Sequence, residues 1–366
     1  MPTNPIKRTA LYENHVALKG RIVPFAGWEM PVQYTSILEE ARAVRSKGGI
    51  FDVSHMGRIY ISGSQATELL DWLQTGNIGS LREGRARYSL ICDEKGGIID
   101  DTVTYRLTSD RYLLVCNASN RDGVLNWINH WRYTRFPETT LDDVTLKTAM
   151  IALQGPATAS LMDELCPQKP SSIRYFSRLE GTIAGRKVFM GRTGYTGEDG
   201  FELILDAAEA SQMWEILLDH QMIPCGLGAR DVLRLEAGLA LHGNDIDQNT
   251  SPLEARLERF VRLEKNFVGA EKLRHQQEVG VTRELVGLLV EGRNLPRHDY
   301  PIKAEGNRIG HVTSGGYSPT LDRNIAMGYV PHEFASHGKH LQVDIRGRLA
   351  DATVTSLPFY VRKREP

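Results

Sequence analysis

The sequence predicts an α+β chain of two or three domains that ends in a β-rich module. Three observations carry this. The chain has 366 residues, more than a single hydrophobic core usually organises. Helical runs with capping signals alternate with short apolar strands as far as Asn249. After Glu284 the runs shorten and are punctuated by glycine, proline and asparagine, the texture of an all-β unit.

Composition narrows the function. With 41% hydrophobic and 24% charged residues, the chain has an ordinary globular balance. Lys+Arg (44) and Asp+Glu (45) cancel, so no general attraction to a nucleic-acid backbone is expected. The cysteines at 92, 116, 166 and 225 form no Cys-x-x-Cys pair, which argues against a zinc site of the usual spacing. The first residues lack an apolar signal core, and no run approaches the ~20 apolar residues of a membrane helix. A reducing, cytoplasmic setting with structural thiols is expected, an organelle being the alternative for a chain stripped of a transit peptide.

The elements follow in order. Residues 21–31 carry two prolines and a glycine, which argue against helix, and Phe25, Trp28 and Met30 stand on a loop as core or pocket lining. Ser36 followed by Glu39 is a capping-box pattern for a helix over 36–45, ended by Gly48-Gly49. Residues 50–57 lead into a strand reaching Ile61, with His55 as structural hydrogen-bonding group, ligand or base. A helix over 64–73 and a strand over 86–91 precede a hairpin around 108–111. Asn117 and Asn120 offer caps for a helix bearing Leu125, Trp127, Ile128 and Trp131. Polar residues 139–145 suggest a domain crossing. A buried strand from Met150 then turns into a helix ending near Cys166, and 187–190 and 201–205 are strands. Asp206 with Glu209 opens an amphipathic helix, and another follows over 226–238. Residues 251–272 read as helix and connection, 313–320 as a long turn at a pocket rim, and the basic tail 358–364 as a solvated end.

The chemistry concentrates in Gly-Gly-Ile-Ile-Asp-Asp at 96–101. Strand alternation puts Ile99, Asp101, Val103 and Tyr105 on one face and Asp100 on the polar other. A carboxylate in an apolar row needs a partner; Asp101 is either a turn acid that points inward or a group awaiting a ligand. Glu202 poses the same question inside its apolar strand, the alternative being an exposed strand face. It follows a stretch with four glycines in ten residues, 191–200, where backbone can approach a ligand closely. Arg230 and Arg234, four apart on one helix face, grip a carboxylate or pair internally with Asp231 or Glu236. The third glycine of a dinucleotide fingerprint is missing after Gly226-Leu-Gly, and there is no P-loop, HExxH or Gly-x-Ser-x-Gly elbow. What remains suits a flat, nitrogen-rich heterocycle: carboxylates accept paired N–H donors and tyrosines stack.

Six motifs, in order, resemble the aminomethyltransferase (T-protein) family of the glycine cleavage system. They are Phe-Ala-Gly-Trp-Glu-Met-Pro at 25–31, Phe-Asp-Val-Ser-His-Met-Gly at 51–57, the 96–101 stretch, Arg-Thr-Gly-Tyr-Thr-Gly-Glu-Asp-Gly-Phe-Glu at 192–202, the run at 226–237, and Thr-Ser-Gly-Gly-Tyr-Ser-Pro-Thr-Leu at 313–321. The resemblance implies three domains around a central channel: 1–54 plus 144–249, 55–143, and a C-terminal β-barrel or jelly-roll-like module over 250–366. It also implies transfer of the one-carbon unit of an aminomethyl group, carried on the lipoyl arm of H-protein, to tetrahydrofolate. The products would be 5,10-methylenetetrahydrofolate, ammonia and dihydrolipoyl H-protein, without metal, nucleic acid or membrane. Asp101 would be the essential acid beside the folate N10, and Glu202 would hold the pterin N–H edge. Tyr88, Tyr105, Asn117 and Tyr195 would line the folate cleft with Met56 nearby, and Arg230 would lie near the folate's charged end or the channel. The chain departs from the family pattern at Ala255 to Phe260, at Thr102, and at Leu239 and His242, where aromatic residues are common. A folate-dependent demethylase of a small methylated substrate on the same fold is therefore the alternative. A folate-binding iron–sulfur assembly factor would need a Lys-Gly-Cys-Tyr motif, which the sequence lacks.

Overall fold

The structure, a computed structural model, describes residues 6–362. Three β assemblies hold the site. A six-stranded sheet has the order Arg178–Ile183, Arg186–Gly191, Gly200–Asp206, Thr148–Gln154, Gly49–Asp52 and Ile223–Pro224. It thus joins an early strand to late ones, with Ile151 opposite Asp52. A five-stranded sheet takes the intervening chain, in the order Ala86–Cys92, Ile98–Arg106, Arg111–Cys116, Gly57–Ser62 and Thr140–Asp143. Residues 283–355 close into a six-stranded barrel.

The chain crosses between the two sheets twice, and Arg58 binds both crossings. Its fully buried guanidinium donates to the carbonyls of Ser54 and Met56 on one, and of Thr145 and Thr148 on the other. Burial draws its pKa down to about 10. Around it a shared apolar core forms from Phe51, Val53, Leu113, Val115, Met150 and Ile204. The helix Leu227–Glu236 adds Ala229 and Leu233 to the same core, which sets its other face toward the site.

Several local expectations hold. Ser36 accepts the Glu39 N–H and caps Ile37–Ser46. The returning half of the box is absent; the neighbouring Glu40 instead accepts the N–H groups of Tyr34, Thr35 and Gly226. The Asp206 carboxylate accepts the Ala208 N–H ahead of the helix Ala210–Asp219. All four cysteines are free and buried. Among the described residues no helix is long and apolar enough to cross a membrane.

Others are corrected. Residues 21–31 are not a loop but a hairpin, Arg21–Phe25 with Trp28–Gln33. Ala26 and Gly27, both at positive φ, make the tight turn, and Pro31 is tolerated beside a register shift at Arg21/Ile22. Residues 251–272 are mostly turns, with one short 3-10 helix at Glu258–Phe260, and α-helix begins only at Ala270–Val279. The rim "turn" at 313–320 largely continues the barrel strand Asn307–Ser318. The hydroxyls of Thr313 and Ser314 face inward and donate to the Asp245 carboxylate. Asn120 precedes Arg121–Arg135 without a side-chain cap.

The alternation along Ile98–Arg106 is also corrected. The register shifts so that Ile91 opposes Asp100 while Cys92 opposes Ile98. Ile99 is the extra residue of a β-bulge, and a bulge reverses the alternation beyond it. Ile99 therefore packs with Ile91 against the helix side, whereas Ile98 packs with Leu90 and Cys92. Asp101 and Val103 keep the cavity face.

Candidate functional site

A cavity of about 870 Å³ lies between the two sheets, the helix Leu227–Glu236 and the segment that enters the barrel. Asp101, Glu202, Met56, Tyr88, Asn117, Tyr195 and Arg230 all line it. The residues singled out at 56–230 in sequence are thus brought to one hollow by four separate elements and three loops. Tyr105 is the exception. It is 1% exposed and lies behind the wall, its hydroxyl 2.9 Å from Thr193 Oγ1. Thr193 in turn donates to Glu202, so Tyr105 supports the carboxylate and does not line the cleft.

The acid end is built on Ile98–Arg106. Gly96, at φ +86°, turns the chain, and a Cβ on Gly97 would stand 1.9 Å from the Gln248 carbonyl. The glycines let the 247–250 connection bond Ile98 N–H and brace the strand. Tyr88 donates its hydroxyl to Asp101 Oδ2 at 3.1 Å. Asn117 Nδ2 lies 2.7 Å from Oδ1 of Asp101 and 2.7 Å from Oδ1 of Asp100. Asp100 also accepts the Asn117 N–H and the Asn120 amide. The two asparagines read as helix caps are spent on carboxylates. Burial lifts both acids above the ordinary carboxylate range, and the charge of Asp101 lifts Asp100 further. Against burial, Asp101 is pulled down by the charge of His242, then by its bonds from Tyr88 and Asn117. A carboxyl raised in this way and held at both oxygens is placed to take or give a proton.

The other carboxylate, Glu202, has a pKa raised by burial and eased by the Thr193 bond and by Arg230. Arg230 holds its guanidinium 4.8 Å from the Tyr195 ring centroid, and its Nη1 is buried without a protein partner. The two arginines of this helix part company. Arg234 is internally paired, to Asp231 and to Asp245 at 2.7 Å. Glu236 is not its partner; that carboxylate binds Arg45, Ser318 and Thr320. Of the two, Arg230 is left to meet a ligand.

Sequence reading missed other contributors. The departing positions 239, 242, 259 and 260 all face the cavity. Phe260 packs its ring 4.6 Å from that of Tyr88, and His242 Nε2 lies 3.1 Å from the Ile98 carbonyl. The tail is not a solvated end. Pro358, Tyr360, Val361 and Arg362 line the cavity, and Tyr360 donates to Glu198 while Arg45 sits 4.0 Å from its ring. Lys363 and Arg364 lie outside the described residues. An aromatic pair in a basic tail, Phe359-Tyr360, was the signal available.

Comparison with known proteins agrees over nearly the whole chain. Residues 11–265 match the family profile described as the GCVT N-terminal domain, and 283–360 that of the glycine cleavage T-protein C-terminal barrel domain. An aminomethyltransferase of Halothermothrix orenii is 44% identical over 359 residues, covering 97% of this chain and 100% of that one. One of Rubrobacter xylanophilus is 45% identical over 361 residues, covering 98% and 95%. The crystal structure of glycine cleavage system aminomethyltransferase T from Bartonella henselae superposes with a TM-score of 0.91 at 36% identity, covering 97% of this chain and 98% of that one.

Proposed function

The chain belongs to the aminomethyltransferase (glycine cleavage T-protein) family, and from that premise we propose its reaction. The one-carbon unit of an aminomethyl group on the lipoyl arm of H-protein passes to tetrahydrofolate. The products are 5,10-methylenetetrahydrofolate, ammonia and dihydrolipoyl H-protein. The methylene carbon exchanges its bonds to nitrogen and sulfur for bonds to two folate nitrogens. Their two protons leave on ammonia and on the thiol.

The residues fit a reduced folate. Glu202 presents acceptor oxygens to the N–H edge of a pterin ring, Tyr88 and Tyr195 offer aromatic surface, and the free Nη1 of Arg230 calls for an anionic acceptor. Tetrahydrofolate supplies the amines that receive the carbon. Asp101 takes and returns the proton that must move as ammonia departs, and Tyr88 and Asn117 fix its two oxygens for that task. The observation that carries this reading is the placing of two burial-raised carboxylates, Asp101 and Glu202, in one cavity.

The test is ammonia release from aminomethylated, lipoylated H-protein, with and without tetrahydrofolate. Tetrahydrofolate-dependent release is expected; its absence overturns the assignment. Because Leu239, His242 and Phe260 face the cavity, the same assay with small N-methyl donors reads the demethylase alternative. Turnover of those donors in place of H-protein would favour it.

A further inference from the structure

We propose that His55 is a binding residue that, with Arg230, receives a glutamate carboxylate of the reduced folate. This rests on the folate reading above. His55 stands in the short connection between Gly49–Asp52 and Gly57–Ser62, is 3% exposed, and lines the cavity beside Phe25 and Met56. Its Nδ1 is buried with no protein partner. Buried polar groups are nearly always satisfied, so an orphan on a cavity wall marks a place where a ligand supplies the bond. Phe25 meets the imidazole edge-on at 5.7 Å and holds its orientation.

The chemistry of the ligand follows from the neighbours. Burial drives the His55 pKa down to about 4; Asp52 opposes this, and the charges of Arg230 and Arg58 add to it. At neutral pH the ring is therefore uncharged and offers one N–H donor and one acceptor. Arg230 offers donors only, and its Nη1 is likewise an orphan. With the ring proton on Nδ1, a group that satisfies both accepts two N–H bonds and tolerates positive potential, which describes a carboxylate. The pterin edge is instead rich in donors and is matched by Glu202. The glutamate end of the folate is the part of the ligand that carries carboxylates.

The experiment compares tetrahydrofolate with tetrahydropteroate, which lacks the glutamate, by calorimetry on the whole chain. The wild type is expected to prefer tetrahydrofolate. His55→Leu should narrow that preference roughly tenfold, the worth of one hydrogen bond to a charged group, by weakening tetrahydrofolate alone. His55→Asn, which returns an amide near the Nδ1 position, should recover part of it. Equal weakening of both ligands, or no change, overturns the proposal. The wild type alone gives a second readout: the 15N resonance of His55 Nδ1 should move with tetrahydrofolate and stay with tetrahydropteroate. The same movement with both ligands, or with neither while both bind, also overturns it. Failure of the wild type to bind either ligand sinks the folate reading itself, and this proposal with it.

Discussion

Asn117 Nδ2 lies 2.7 Å from Oδ1 of Asp101 and spends its second proton on Asp100 at the same distance. One amide therefore holds two adjacent carboxylates that burial would otherwise keep apart or protonate. Asn117→Leu should raise the pKa of both acids and lower turnover by roughly 10- to 100-fold, the worth of a charge-assisted hydrogen bond of about 1.5–3 kcal/mol. Single-turnover ammonia release across pH checks this; an unchanged profile would show that Asn117 does not govern Asp101.

Asp101→Asn keeps the shape of the site but cannot carry a proton. Folate affinity should stay within a few-fold, while kcat falls by roughly 10²- to 10⁴-fold, the usual contribution of a positioned acid–base group. Near-normal turnover would remove Asp101 from the chemistry.

Glu202→Gln exchanges one acceptor oxygen for a donor and leaves the Thr193 hydroxyl facing a neutral amide. Tetrahydrofolate binding should weaken by about ten- to a hundredfold, with a smaller change in kcat at saturation. Titration calorimetry reads it, and unaltered affinity would contradict the pterin assignment.

His242→Phe tests the electrostatics of the acid. Burial raises the Asp101 pKa, and the charge of His242 is the largest influence acting against it. Without His242 the pKa rises further, so the ionised form is lost at a higher pH as the solution is acidified. The acid limb of the kcat profile should move to higher pH while the alkaline side stays. An unmoved acid limb would mean that His242 does not act on Asp101.

Arg58→Met tests the clamp between the crossings. It fills the space but strands the carbonyls of Ser54, Met56, Thr145 and Thr148. A loss of about 2–4 kcal/mol is expected from several buried acceptors left unmet. Urea unfolding should show a lower midpoint, and a midpoint within error of wild type would make Arg58 dispensable.

The sequence alone determined which segments fold and where unusual chemistry sits. Capping residues and apolar periodicity are local signals, so Ile37–Ser46 and Ala210–Asp219 were readable without any partner. A carboxylate in an apolar row is likewise visible in one dimension, which is how Asp101 and Glu202 stood out. Tertiary structure decided everything that depends on a distant partner. The bulge at Ile99 is set by the opposing strand, so simple alternation misplaced that residue. Tyr105 fell behind the wall because Thr193 comes between it and Glu202, and the tail closed the cavity because Tyr360 finds Glu198 and Arg45. Arg230 and Arg234 share a helix face; Asp245, brought in by the barrel-side connection, joins Asp231 in neutralising Arg234 and leaves Arg230 for a ligand. Local patterns report what a residue prefers, whereas burial and pairing are properties of the neighbours that folding supplies.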